Sequence, residues 1–226
     1  MKIQLHYVES GSGFPLILLH GNGEDSSYFE HQLAGFSLDF HAIAPDTRGH
    51  GKSPRGSAPF SLEQFAEDLL LFMDAHNIAR AHILGFSDGA TIALAFALKH
   101  PERVEKLILN GGNLQPWGVK FFVQLPIVLG YWLAKAISVF DKKAVAKAEL
   151  LGLMVTQPNL KTQDLSGLNI PTLVIAGEND MIRTAHTKEI HRAIANSELK
   201  IIPGDHFVAN KNPAAFNAAV MDFLMK

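Results

Sequence analysis

Ser87 stands between two glycines in Gly85-Phe86-Ser87-Asp88-Gly89, where an apolar run gives way to an alanine-rich one. A G-x-S-x-G pentapeptide between a strand and a helix holds its serine on a strained turn at the carboxyl edge of a sheet. The two glycines remove side chains that would collide there. The same turn lies at a helix N-terminus, where backbone N–H groups and the helix dipole favour developing negative charge. A glycine-rich turn without chemistry is the plain alternative for the pentapeptide alone, but a strand before it and a helix after it favour a nucleophile.

A serine needs a base, and the base needs an orienting acid. Two later apolar runs end in Glu178-Asn179-Asp180 and in Gly204-Asp205-His206-Phe207. Loops at the carboxyl ends of parallel strands are where ligands collect in open α/β sheets. Asp180 and His206 therefore supply acid and base, in the chain order Ser, Asp, His that accompanies this kind of turn. Glu178 and Asp205 compete with Asp180. Glu178 comes directly after Gly177, too early to reach across, and Asp205 adjoins His206, where neighbouring side chains point apart. Asp180 is the preferred partner. Most of the 11 histidines are expected to be surface or satisfied loop residues. His186 and His191 are five apart and share no helix face, so no histidine metal site is expected.

The third part is His20-Gly21-Asn22-Gly23, a tight turn after an apolar run. Such a turn can aim backbone N–H groups at an acyl oxygen. The donors are the backbones of Asn22 and of Asp88, the residue after the nucleophile, and His20 braces the loop.

These groups need a frame that brings distant loops to one edge. Short apolar runs at 15–20, 40–46, 81–86, 104–110, 171–177 and 198–204 have the profile of strands buried on both faces. A weaker strand lies at 2–9. Helical spacing marks 61–77, opening on a Ser61 cap, then 91–100 stopped by Pro101, 184–195 and 213–225. Strand and helix in alternation predict a mostly parallel sheet covered on both faces. The alternation breaks once, so residues 1–112 and 168–226 are expected to form the core and 113–167 a helical lid. Within that insertion, 113–140 is apolar enough to suggest a membrane span. Pro116, Lys120, Gln124, Pro126 and Lys135 interrupt it, however, and surface helices with one very apolar face are expected instead.

The ordered set HGNG (20–23), DTRGHGKS (46–53), GFSDG (85–89), GEND (177–180) and GDHF (204–207) resembles the α/β-hydrolase fold family over nearly the whole chain outside the lid. The resemblance implies no cofactor and a substrate pocket beneath the lid, and a supporting role for the Asp46–Ser53 loop. A serine at position 87 sets the chain apart from the aspartate-nucleophile dehalogenases and epoxide hydrolases. Family members commonly have one more strand before the first one seen here; with the short lid, this implies a compact member with a small or open pocket. The elbow is also similar to that of valacyclovir-hydrolase-like enzymes, in which Ser-Asp occurs and the aspartate holds an α-amino group.

Asp88 is the unusual residue. A carboxylate beside a developing oxyanion costs on the order of 4 kcal/mol at about 4 Å and an effective dielectric near 20. Either it caps the following helix or pairs with a cation, or it faces the pocket and binds a cationic substrate group. Trp117, Phe121 and Tyr131 either line an apolar substrate pocket, with other lid aromatics, or form the lid's own core.

Composition narrows the remaining classes. The chain has 226 residues, no cysteine and a formal charge of −2, with lysine and arginine scattered. That excludes disulfides, thiolate metal sites and a cysteine nucleophile, and gives no electrostatic footprint for nucleic acid. The N-terminus lacks a basic segment followed by a long apolar core, so cytoplasmic residence is expected. The expectation is a metal-free serine hydrolase of a small carboxylic ester, such as an amino-acid ester, or of an amide or thioester. C–C hydrolysis or perhydrolysis on the same triad is the enzymatic alternative, and a ligand-sensing receptor is the non-enzymatic one. Composition says nothing of oligomeric state.

Overall fold

The computed structural model describes residues 3–226. Seven strands make one sheet: β1 (Tyr7–Ser10), β2 (Phe14–Leu19), β3 (Phe40–Pro45), β4 (Ala81–Phe86), β5 (Val104–Asn110), β6 (Thr172–Gly177) and β7 (Ser197–Ile202). Their spatial order is β1-β3-β2-β4-β5-β6-β7, with β1 antiparallel to β3 and every other pairing parallel. The strand expected over 2–9 is thus shorter and later, and residue 2 lies outside the described residues.

Burial on both faces follows from period-two alternation within each strand. Leu16 and Leu18 of β2, Leu84 of β4 and Ile108 of β5 point to one side. There they meet Leu33 and Phe36 of α1 (Glu30–Phe36) and Phe216, Val220 and Phe223 of α8 (Pro213–Leu224). Ile17, Leu19, Ile83, Leu107 and Leu109 point the other way. They pack on α2 (Leu62–Ala75), α3 (Asp88–Lys99) and α6 (Thr184–Ala193). As the sequence implies, the Ser61 hydroxyl caps α2 by accepting the N–H of Gln64. Two helices were not foreseen, the four-residue α7 (Val208–Lys211) and α1, whose seven residues are held by contacts remote in sequence. Buried Gln32 donates to the Ala209 carbonyl and to Asn217.

Between β5 and β6 the chain makes α4 (Phe121–Ile137) and α5 (Lys142–Thr156), which pack on each other. The inward side of α4 meets α5 through Tyr131 on Gly152 and a Gln124 amide bond to the Met154 carbonyl. Its outward side carries Phe121, Phe122, Leu125, Leu129, Trp132 and Leu133, all exposed. The expectation of one apolar face is corrected: α4 is apolar on both faces, and α5 covers only one of them. Among the described residues no helix is long and apolar enough to cross a membrane.

Candidate active site

At the end of β4 the chain turns sharply into α3, with Ser87 between them at φ 54° and ψ −118°. Few non-glycine residues adopt a positive φ, and one held there stores strain that its surroundings must impose. Here the constraints are visible. The Ser87 N–H donates to the Asn110 carbonyl (2.8 Å), and its own carbonyl accepts from Ala90 and Thr91 at the start of α3. A Cβ at Gly85 would overlap the Gly89 carbonyl, and one at Gly89 would overlap that of Leu19. Both glycines of the pentapeptide are therefore required by close backbone packing.

His206 follows β7 and Asp180 follows β6, so two adjacent parallel strands deliver them to the same edge as Ser87. The His206 Nε2 lies 3.0 Å from the Ser87 Oγ, and its Nδ1 lies 2.7 Å from the Asp180 Oδ1. A carboxylate can only accept, so Nδ1 carries the proton and Nε2 is free to accept from the hydroxyl. The same Asp180 oxygen accepts the N–H of Ile182 at 2.8 Å, which fixes the carboxylate. His206 and Asp180 are buried, while Ser87 is half-buried. Sequence reasoning missed Gly111, which passes directly behind the pair at φ +60°, where a Cβ would sit 2.9 Å from the His206 Cε1. The signal was the Gly111-Gly112 pair directly after β5. Of the competing carboxylates, Asp205 instead bonds Lys211 (2.5 Å) and the Phe207 N–H.

The opposite wall is the turn after β2. The backbone N–H groups of Asn22 and Asp88 have no acceptor among the described residues. His20 is buried and braces the turn: Nδ1 donates to the Gly21 carbonyl (2.8 Å) and Nε2 accepts the Thr47 N–H (3.0 Å). Burial lowers its pKa to about 4, so it stays neutral.

The Asp88 side chain neither caps α3 nor pairs with a cation among the described residues. Its Oδ2 accepts the Asn22 side-chain amide at 3.0 Å, and that amide also donates to the Leu150 carbonyl of α5 at 2.8 Å. Burial pushes the Asp88 carboxyl up to about 6, against the pull of the Asn22 bond and the His206 charge. A second carboxylate, Glu24, escaped the sequence reading. Its Oε2 accepts the Gly21 N–H at 3.1 Å while its own N–H donates to the Gly21 carbonyl at 3.3 Å. This reciprocal i, i+3 pattern is legible in principle, as in a capping box. Burial raises Glu24 to about 7, again against the Gly21 bond and the His206 charge.

The lid aromatics have other contacts. Trp117 meets His186 edge-on and lies under Arg183, Phe121 packs on Phe122 at the surface, and Tyr131 sits on Gly152 and Trp132. None of these contacts is with the Ser87–His206 pair. His186 accepts the Leu114 N–H, and no cluster that could hold a metal ion occurs among the described residues. The loop after β3 is a brace: buried Arg48 grips Asp68 through two bonds of 2.6 Å, and Asp46 accepts the N–H groups of Ser26 and Lys52. A cleft of about 480 Å³ lies away from this edge, around Phe14, His41 and Arg80.

Comparison with known proteins agrees with this architecture. The family profile of the alpha/beta hydrolase fold matches residues 15–143. A Caulobacter sp. (strain K31) protein named as a carbamate hydrolase, RutD, is 27% identical, the match covering 92% of this chain and 90% of that one. The 2-hydroxymuconate semialdehyde hydrolase of Pseudomonas sp. (strain CF600) is 30% identical over 78% of this chain and 59% of its own length. The crystal structure of the enol-lactonase from Burkholderia xenovorans LB400 superposes with a TM-score of 0.83 at 25% identity, covering 99% of this chain and 97% of that one. A sheet of this order, a serine on a strained strand-to-helix turn and a profile match over more than half the chain lead to one assignment: the chain belongs to the alpha/beta hydrolase fold family and is an enzyme, a hydrolase.

Proposed function

We propose that the protein is a serine hydrolase of small carboxylic esters, with Ser87 as nucleophile, His206 as base and Asp180 as the acid that orients it. The observation that carries this reading is the unbroken chain of hydrogen bonds from the Ser87 hydroxyl through both imidazole nitrogens to the Asp180 carboxylate. Ser87 Oγ attacks the ester carbonyl as its proton passes to His206 Nε2. The tetrahedral oxyanion is held by the Asn22 and Asp88 N–H groups. Collapse expels the alcohol, which takes the proton back from Nε2, and leaves the acyl group on Ser87. A water, deprotonated by the same nitrogen, then releases the acid. No step requires a cofactor.

Residues 113–167 serve as the lid in this reading, tied to the core where Asn22 reaches Leu150 and Arg55 pairs with Glu149 at 2.5 Å. Asp88 and Glu24 both lie within Coulombic reach of His206, and the ion pairs found among the described residues include neither. Two carboxylates at the reacting edge favour neutral or cationic esters over anionic ones. The Asn22 amide already occupies one Asp88 oxygen, so an amino-acid ester would have to displace it to place its ammonium there.

A fluorophosphonate probe should label Ser87 alone, and Ser87→Ala should lose labelling and turnover of p-nitrophenyl esters by on the order of 10⁴-fold or more. Substantial residual turnover in that variant would remove Ser87 from the nucleophile's role. Carbamates, C–C substrates and esters of free and N-acylated amino acids form the other arms of the same screen. They use the same serine and differ in the leaving group.

A further inference from the structure

We propose that the outward face of α4 docks flat against an anionic lipid surface. At helical spacing that face reads Phe122, Leu125, Leu129, Leu133, Ile137 and, just past the helix, Phe140, all exposed. Phe122 is 88% exposed and Phe140 91%, and with their neighbours at helical spacing they make one apolar stripe rather than singly scattered residues. The other face of α4 is already satisfied by α5, so no rotation of the helix would bury the stripe. The helix is 17 residues long, about 25 Å at 1.5 Å per residue, and interrupted by Pro126. It can lie in an interface and does not meet the length for a span.

Charge selects the occupant. Residues 113–167 hold six lysines against three carboxylates, so this segment is positive in a chain whose formal charge is −2. All three carboxylates are engaged locally, Asp141 by the Lys143 N–H, Glu149 by Arg55 and Asp164 by the Lys161 N–H. Lys120 precedes the stripe and Lys142 and Lys143 follow it. Lys135 folds back over the Tyr131 and Trp132 rings at 5.5 and 5.1 Å. Lysines whose stems run beside an apolar stripe can keep their amines at headgroup level while the stripe enters the acyl boundary. A second copy of the chain, stacked face to face, would set these same lysines against their counterparts. An anionic bilayer meets the stripe and the lysines together. The acidic remainder of the molecule orients the lysine-bearing side toward the surface.

Both tryptophans of the chain, Trp117 and Trp132, lie in this segment, so intrinsic fluorescence reports directly on it. The test is flotation with vesicles of phosphatidylcholine alone and of phosphatidylcholine mixed with phosphatidylglycerol. The full chain should float with the mixed vesicles and shift its emission to the blue. It should float weakly or not at all with the neutral ones, and high salt should weaken the binding. The double variant Phe122→Ser/Leu129→Ser should lose binding, and Lys142→Glu/Lys143→Glu should weaken it by roughly tenfold or more. Both variants should keep the far-ultraviolet circular dichroism and soluble-ester turnover of the parent, because none of the four side chains is in the core. Absence of flotation with either vesicle, or equal binding to both, would overturn the proposal. So would a lipid-free dimer, seen by sedimentation, that the Phe122→Ser/Leu129→Ser variant dissolves, since the stripe would then belong to a second copy.

Discussion

The helix that follows Ser87 and the first helix of the insertion are both rich in apolar residues, yet the structure treats them in opposite ways. In α3, nine of twelve residues are buried, wedged between the sheet and α2. In α4 only Ala134 of seventeen is buried. The first lies in a three-layer sandwich where each apolar side chain finds neighbours on all sides; the second belongs to a two-helix layer with nothing above it. Precision at the site comes from the first arrangement. The strained Ser87 turn persists because the sheet, Asn110 and the α3 backbone all fix it. The insertion is fixed to the core outside α4, where the Asn22 amide reaches the Leu150 carbonyl, Arg55 pairs with Glu149, Gln157 accepts the Leu62 N–H, and Leu114, Leu153 and Leu165 join the core.

The contrast is broken most directly by truncating one leucine in each region. Leu18 is fully buried in β2, and Leu18→Ala should cost about 2–5 kcal/mol through lost burial and the cavity left behind. Leu129→Ala on the outward face of α4 should change stability by less than about 0.5 kcal/mol. Urea denaturation of the two variants measures both. A Leu129→Ala loss approaching that of Leu18→Ala would mean that the insertion is packed in solution as the core is.

A smaller effect is expected at the joint between the regions. Asn22→Ala leaves the backbone N–H in place but removes the amide that bridges Asp88 and Leu150. The buried Asp88 carboxyl then loses its donor, at a cost of about 1–3 kcal/mol. The loss should be larger above pH 6, where Asp88 is ionised, than below it. A pH-independent loss in denaturation measurements would show that Asp88 finds another donor.

The same contrast explains what the sequence made legible. The unbroken apolar run of β2 specifies its own burial, because each strand residue has a helix layer on its side, and the Ser61 cap specifies where α2 begins. The strand ends then place Ser87, Asp180 and His206 on one edge without any knowledge of their contacts. In α4 the apolar residues run round the helix, and a pattern without contrast cannot say which side faces inward. Helix α1 was invisible because Gln32, its buried anchor, finds its partners 177 and 185 residues away. Asp88 could be singled out as unusual, but its partner Asn22 lies 66 residues earlier, and only the closed fold brings them together.

Glu24 gives the smallest and most specific way to sharpen the comparison, because it belongs to the rigid region yet is held in an unfavourable state. Burial raises its folded pKa from 4.5 to about 7. Between those values the unfolded chain has released a proton that the folded chain still holds, so ionising Glu24 subtracts from stability as pH rises through 4.5–7. His20 works in the opposite sense. Its folded pKa of about 4 lies below the free value of 6.5, so stability is gained as pH rises across that window and lost as pH falls. Glu24→Gln keeps an oxygen that can accept the Gly21 N–H and removes the titration. The variant should therefore gain on the parent progressively from pH 4.5 to 7 and hold a constant advantage above it, leaving the rise due to His20 exposed. Glu24 is partly open to water, which screens the effect and keeps it the smallest of the three. A variant and parent with parallel stability profiles over that range would show that the Glu24 carboxylate is already well solvated, and that the turn after β2 is more open than the sheet edge beside it.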